Sequence, residues 1–536
     1  MRVPIPGRLA DAGFEISVLV RAGILGPDRP DRAVRALAAL ATGGQTLPTA
    51  LRVAAIKHPG RVLLREREGD LTYAEVERRT DAIARGLLEL GLESGRTVAI
   101  LGRNGRGLIE SALASAKAGL DVVFLNTMFS APQIEDVIRS EGVAALVFDP
   151  EFDSVVSELG SGPLLISTGP SSGDFDDFPA ACTGAMALAR SDHHLPRRRE
   201  SSRFVILTSG TTGRPKGASR SSASGLSGMA AMLDRIPRRS GESVLIVAPI
   251  FHSWGFLNFA LSLTLGATVI LDGRFDPDRT LDLLRDLRPD ALVAVPVMLQ
   301  RLIERSGDRE FEPALRVVAV SGSVLPGRLA MDWMDRFGEN LHSLYGSTEV
   351  ALVAVAGPAE LREDPGTAGR PLRGTEVRLM DESGSEVPQG VEGRIFVRSG
   401  MLFEGYSDGS DKERVDGFVS TGDVGHFEDG LLRVDGRDDE MIISGGENVF
   451  PREVEDEIAA MDGVVEVAVV GVDDDRFGQA LVAYVVADPQ RGPDSDRIRK
   501  HVRERLASFK VPREVEFLDR LPRNETGKIV RRHIGG

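Results

Sequence analysis

From Pro48 onward, short apolar runs alternate with longer stretches whose apolar positions recur at helical spacing. The runs predict buried strands and the longer stretches amphipathic helices. The segment LTYAEVERRTDAIARGLLELGL (71–92) opens as a short strand and continues as a helix. Leu87, Leu88 and Leu90 close its apolar side, and Gly91 stands where the helix should stop. RTVAIL (96–101), DVVFLN (121–126), AALVFD (144–149) and GPLLIS (162–167) read as strands, and LIESALASAKAG (108–119) as a helix. This βα alternation continues to about residue 350 and predicts an α/β architecture with a mostly parallel sheet.

Past about residue 365, turn residues become frequent and the apolar runs shorten to EVRLMD, GRIFVRS and HFEDGLLRVDG, which predicts a small β-rich subdomain. A last unit opens near Arg437. It holds a helix with Pro451 in its first turn, strands at VEVAVVGV and ALVAYVVA, and a helix near RIRKHVRERL. Residues 1–45 read as a helical lead-in with apolar Ile16, Val18, Leu19, Val20 and Ile24. They are expected to pack on the body, with peripheral membrane or partner contact as the alternative. Val244–Leu271 contains no Asp, Glu, Lys or Arg over 28 residues, long enough to span a bilayer. Pro249, His252, Ser253, Gly255, Asn258 and Gly266 interrupt it, so two buried strands flanking a helix are expected instead.

Composition narrows the function classes. The chain has 536 residues, is 42% hydrophobic and 27% charged, and carries a formal net charge of -15. Disorder over most of the chain and non-specific nucleic-acid binding are disfavoured. The N-terminus carries Asp11 and Glu15 and no long apolar core, so it does not read as a signal peptide. One cysteine, Cys182, excludes an intramolecular disulfide and a Cys/His zinc site, and a cytoplasmic location is expected. Of 65 basic residues only seven are lysines: Lys57, Lys117, Lys216, Lys412, Lys500, Lys510 and Lys528. Arginine cannot replace a compact point charge everywhere, so each lysine is a candidate for a specific role.

The densest chemistry lies in Thr208-Ser209-Gly210-Thr211-Thr212-Gly213-Arg214-Pro215-Lys216-Gly217, directly after the apolar run FVIL. Glycines let backbone N–H groups turn inward, and hydroxyls and a lysine add donors, a combination suited to a polyphosphate. The Walker A spacing is absent, which disfavours a P-loop NTPase.

The run TSGTTGRPKG closely resembles the phosphate loop of the adenylate-forming superfamily, which includes acyl-CoA synthetases, peptide-synthetase adenylation domains and beetle luciferases. Tyr345-Gly346-Ser347-Thr348-Glu349 resembles that family's YGxTE element and Ser420-Thr421-Gly422-Asp423 its TGD element. Gly436-Arg437-Asp438-Asp439-Glu440 followed by MIISGGENVFP resembles its hinge, and Pro522–Lys528 its terminal lysine loop. The five elements stand in family order over residues 46–536.

The resemblance implies that a carboxylate is joined to ATP with loss of pyrophosphate, and that a thiol then displaces AMP. It implies the following roles. Lys528 contacts carboxylate and phosphate oxygens during adenylation. Asp423 holds the ribose hydroxyls, with Arg437 assisting. Glu349 ligates Mg2+, and Thr348 donates to the α-phosphate. Tyr345 stacks on adenine opposite the backbone of Ser323-Val324-Leu325, a segment that departs from the family's usual Gly-Ala-Pro. His252 lies near the acyl carboxylate, where amino-acid-activating relatives usually carry Asp. With Phe251, Trp254 and Phe256 around it, this favours an apolar acid over an ammonium-bearing one. Asp439 is the hinge about which the C-terminal domain rotates, and Gly445 and Gly446 line the pantetheine path.

The expected architecture is α/β: an N-terminal helical extension (1–45), a large adenylation domain (46–436) with a small β-barrel-like subdomain from about 365, and a small mobile α+β C-terminal domain (437–536). The expected activity is that of a fatty-acyl-CoA synthetase using ATP, Mg2+ and CoA. Loading of a carrier-protein phosphopantetheine, or a catalytically inactive relative of the fold, are the alternatives. Monomer and homodimer are equally compatible with the sequence.

Overall fold

The computed structural model describes residues 5–26, 28–160, 162–169, 181–186, 195, 202–209, 215–218, 225–307, 314–406, 409–444, 447–474, 478–523, 529–531 and 534. Its strands form four sheets among these residues. In the nine-stranded sheet, six neighbouring strands run parallel: Val62–Glu66, Thr268–Ile270, Ser243–Ile246, Ala291–Ala294, Val317–Val320 and Leu341–Ser347. Antiparallel strands flank them on both edges. The seven-stranded sheet is parallel except at one edge, where Phe204–Ser209 pairs antiparallel with Pro215–Ala218. Helices cover both faces of these sheets, so strands such as Thr97–Leu101 and Val317–Val320 are buried at every position. That is why they read as unbroken apolar runs.

The uncharged 244–271 stretch is a strand, a helix and a strand inside the core: Ser243–Ile246, Ser253–Leu265 and Thr268–Ile270. Gly266, at φ 60, ends the helix in the left-handed conformation that favours glycine. Asn258 and Ser262 on its buried side bond the fully buried Arg238 guanidinium at 3.4 and 3.3 Å. The helix is therefore fixed in rotation, with Phe256, Leu257, Ala260 and Thr264 turned to an open cleft. Among the described residues no helix is long and apolar enough to cross a membrane.

Residues 1–45 supply two helices, Ile5–Arg21 and Pro30–Gly43. Val18 and Ala22 join the main core, as expected for packing on the body. The β-rich region is a five-stranded antiparallel sheet from Glu376–Met380 to Leu431–Arg437. Leu431–Arg437 pairs with Phe418–Glu428 on one side, and on the other Leu432 bridges Gly369, so the sheet is continued toward the large body. The turn Asp438–Glu440 leads from this sheet into the small C-terminal unit, an α+β body with helices Pro451–Ala459 and Ser495–Arg505. Polar ties join it to the large body. Arg328 reaches the carbonyls of Ala459 and Met461 at 3.4 and 3.2 Å, and Arg452 reaches those of Val434 and Gly366. Interfaces of this type permit relative domain motion.

Burial pushes the imidazoles of His252 and His342 down to about 4. An unfolded chain takes up a proton on each near pH 6.5, whereas the folded chain does so only near pH 4. Stability is therefore lost as pH falls through this window, by up to about 1.4 kcal/mol per pH unit for each group. His342→Gln is expected to remove one such increment from the pH slope of stability. Urea unfolding of both proteins at about pH 6.5 and about pH 5 measures it; equal slopes would contradict the assignment.

Candidate active site

The site grows from the carboxyl ends of parallel strands, where open α/β sheets place their crevices. Ser243–Ile246 leads to His252, Val317–Val320 to Ser323-Val324-Leu325, and Leu341–Ser347 to Thr348 and Glu349. All of these residues line one cleft of about 2760 Å³, together with Tyr345, Gly346, Asp423 and Arg437.

Strands Phe418–Glu428 and Leu431–Arg437 pair so that Asp423 lies directly across from Arg437. Their side chains meet at 3.5 Å, and the Tyr345 hydroxyl donates to the other Asp423 oxygen at 2.6 Å. Burial, and then the neighbouring Asp423 charge, hold the Tyr345 hydroxyl well above its usual range, so it stays a neutral donor. A Cβ added at Gly422 would lie 3.4 Å from Arg437 Nη2 and 3.6 Å from Lys412 Nζ. Two cations thus reach the turn beside Asp423 despite the chain's net charge of -15.

Gly346 occupies a register shift between the strands Leu341–Ser347 and Ala351–Ala356. A Cβ there would sit 1.9 Å from the Ala351 carbonyl oxygen, so no other residue fits without moving the backbone that carries Tyr345 and Thr348. Glu349 accepts the Tyr406 hydroxyl at 2.7 Å on Oε1. One carboxylate with a hydroxyl neighbour, Thr348, is a donor set that suits Mg2+, which binds one or two protein oxygens and completes its shell with phosphate and water.

His252 precedes the helix Ser253–Leu265. Its Nε2 is buried and has no hydrogen-bond partner among the described residues. Phe204 and Phe256 line the cleft nearby with ring centroids 5.0 Å apart, and Phe124 packs behind them at 5.2 Å from Phe256. Asn104 fixes the loop that presents His252. It donates to the Ile246 and Ala248 carbonyls at 3.2 and 2.9 Å and accepts from the Ile250 N–H at 2.8 Å.

The phosphate-loop candidates divide. Thr208 and Ser209 end one strand, and Lys216 lies on the next, paired with Thr208. Gly210, Thr211, Thr212 and Gly213 lie outside the described residues, as do Gly445, Gly446 and Lys528. Arg523 and Ile529, on either side of the lysine loop, form a β-bridge, and both line the cleft. The backbone of Asp439 is in the Asp438–Glu440 turn.

The family model described as AMP-binding enzyme matches residues 51–407, and the AMP-binding enzyme C-terminal domain matches residues 453–528. The chain belongs to the AMP-binding enzyme family. Among its relatives are a feruloyl-CoA synthase of an Amycolatopsis species and an indoleacetate–CoA ligase of Aromatoleum aromaticum. The first is 35% identical over 87% of this chain and 94% of the relative; the second is 32% identical over 88% and 94%. The solved structure of the amide bond synthetase McbA from Marinactinospora thermotolerans superposes with a TM-score of 0.82 at 29% identity, covering 91% of this chain and 99% of that one. Family membership and the CoA-ligase relatives support acid–CoA ligation through an adenylate.

Asn104 and Tyr406 were given no role by the sequence, and Lys412 only the general candidacy of a rare lysine. Each contacts a site element across the fold. Asn104 carried a usable signal of its own, a polar amide just past the end of a wholly buried strand.

Proposed function

We propose that this family member activates an apolar, aliphatic carboxylic acid with ATP to an acyl-adenylate and transfers the acyl group to CoA. The observation that carries this reading is the acyl end of the cleft: a neutral histidine with a buried, unpartnered Nε2, set among Phe204, Phe256 and Trp254. A carboxylate there for a substrate ammonium is absent from the His252 position itself. An apolar tail gains from such a wall, and an ammonium would lose its hydration uncompensated.

In the first step a carboxylate oxygen attacks the α-phosphorus, the bond to pyrophosphate breaks, and acyl-AMP forms. Asp423 and Arg437 hold the ribose, with the Asp423 carboxylate pre-set by the Tyr345 hydroxyl. Tyr345 and the Ser323–Leu325 backbone flank the base. Thr348 and the phosphate-loop residues Thr208–Gly213 and Lys216 donate to phosphate oxygens. His252, held neutral by burial, orients the carboxylate through one N–H without neutralising its charge, so the oxygen keeps its nucleophilicity. Lys528 balances the charge that builds between the two anions. Glu349 and Thr348 would hold Mg2+, which supplies positive charge to the phosphates. In the second step the CoA thiol attacks the acyl carbon, the bond to AMP breaks, and the thioester leaves by way of Gly445 and Gly446.

ATP–pyrophosphate exchange across a panel of carboxylic acids, followed by CoA addition and mass detection, tests this. Exchange with aliphatic acids and a CoA thioester product are expected. Exchange with amino acids alone, or a thioester formed only on a carrier protein, would overturn it.

A further inference from the structure

We propose that the helices Ile5–Arg21 and Pro30–Gly43 form the far end of the acyl site, so that the substrate's tail runs the length of the Ser253–Leu265 helix and ends against them. This rests on the proposed apolar-acid activity.

The cleft that begins at His252 does not stop at the aromatic cluster. It continues along Phe256, Leu257, Ala260 and Thr264, one stripe of the helix. Met229 and Met232 of the helix Gly225–Arg235 wall one side, and Ala50 and Val53 of the helix Leu47–Lys57 wall the other. The N-terminal helices are fastened to these walls. Ser227 donates to Glu15, and Arg21 pairs with Asp234 at 2.7 Å. On the opposite side Arg32 donates to the Lys57 carbonyl at 2.8 Å, and Lys57 Nζ to the Ile24 carbonyl at 3.2 Å.

The turn between the two helices therefore bridges the trough. Its place is the end remote from His252. Ser240 N–H bonds the Ala22 carbonyl at 2.7 Å, and the adjacent Gly241 N–H bonds Leu265, the last residue of the trough helix, at 2.9 Å. The thirteen residues of that helix rise about 20 Å at about 1.5 Å each. Only a long, unbranched tail spans this distance from a carboxylate at His252.

Ile16, Leu25, Leu37 and Leu40 line the same cleft yet stay 55, 45, 65 and 43% exposed. With Val20 and Val34, the N-terminal helices and the turn between them hold six of the thirteen large apolar side chains exposed among the described residues. Bare apolar surface concentrated in this way marks a binding surface. Its continuity with the catalytic cleft names the occupant as the substrate's own hydrocarbon tail.

Two full-length variants test this. Ala260→Trp fills the trough eight residues past His252, about 12 Å along the helix axis. Leu25→Asp places a charge at the far end, on a side chain exposed enough for the fold to accept it. Chain-length profiles of kcat/KM are compared for butanoate, decanoate and hexadecanoate. The parent is expected to favour hexadecanoate. Its preference over butanoate should fall by roughly 100-fold in Ala260→Trp and roughly 10-fold in Leu25→Asp, as contact with the last methylenes is lost. Fluorescence titration with cis-parinaric acid without ATP reads the trough independently of turnover, and both variants should weaken that binding.

A parent that prefers short acids, or variants that keep the parent's profile and parinarate affinity, would overturn the inference while leaving acid activation standing. Absence of exchange with every acid would instead overturn the proposed activity, and the parinarate titration would still decide the trough.

Discussion

Lys528→Ala is expected to lower acyl-adenylate formation by roughly 10²–10³-fold, the usual cost of one preorganised donor, and largely to spare thiolysis of supplied acyl-AMP. The reaction brings one anion against another on a chain of net charge -15, so the positive charge must be local. Arg523 and Ile529 enclose the lysine loop, and both line the cleft that holds Tyr345, Asp423 and Glu349. Arg523 is itself tied to Glu466 at 3.2 Å, and Arg531 to Glu455 at 2.6 Å. These ties join the two ends of the lysine loop to the C-terminal unit. Loss of the first half-reaction with retention of the second is the pattern expected if, as proposed, the lysine serves adenylation alone. Equal pyrophosphate exchange by variant and parent would remove Lys528 from the mechanism.

Asp439→Pro is expected to have the opposite pattern: acyl-adenylate forms at close to the parent rate, and thioester production falls by roughly 100-fold, about 2.7 kcal/mol on the barrier. The residue lies within a three-residue turn between the last strand of the body and the first of the small unit. Rotation about such a turn asks a few residues to absorb a large change in φ and ψ. A proline ring fixes φ near -65° and removes that freedom. The polar ties made by Arg328 and Arg452 to backbone carbonyls can be exchanged for water, which on the proposed rotation would leave the turn as the pivot. Single-turnover measurement of adenylate and thioester separates the two steps. Loss of both together, or retention of both, would show that Asp439 is not the pivot.

Most of the α/β body was legible because its strands are buried on both faces. Such strands advertise themselves as short unbroken apolar runs, as in RTVAIL and AALVFD. The 244–271 stretch was resolved by its punctuation. Pro249 precedes the helix and Gly266 closes it, so its length did not mislead. The site was legible where function is concentrated in contiguous residues, such as 345–349 and 420–423.

What the sequence could not show is set by chain closure. Asp423 and Arg437 are fourteen residues apart, and only the strand register places them face to face. Asn104 acts on a loop 142 to 146 residues further on, and Tyr406 reaches back 57 residues to Glu349. The N-terminal helices read as cover packed on the body, with membrane or partner contact as the alternative. Their position across the remote end of the Ser253–Leu265 helix depends on a backbone bond from Ser240 and on the Arg32 side chain donating to the Lys57 carbonyl, which no local pattern announces.

The Asp423–Arg437 pair has a kinetic consequence. Both residues belong to strands of the body and precede the Asp438–Glu440 turn, so the proposed rotation about that turn would leave them where they are. The adenylate would stay tethered by its sugar while the chemistry around its carbonyl is exchanged. A reactive mixed anhydride handled in this way would be committed forward, meeting the incoming thiol before it could diffuse off or be lost to hydrolysis. The brake on leakage would then lie in the half of the molecule that does not turn.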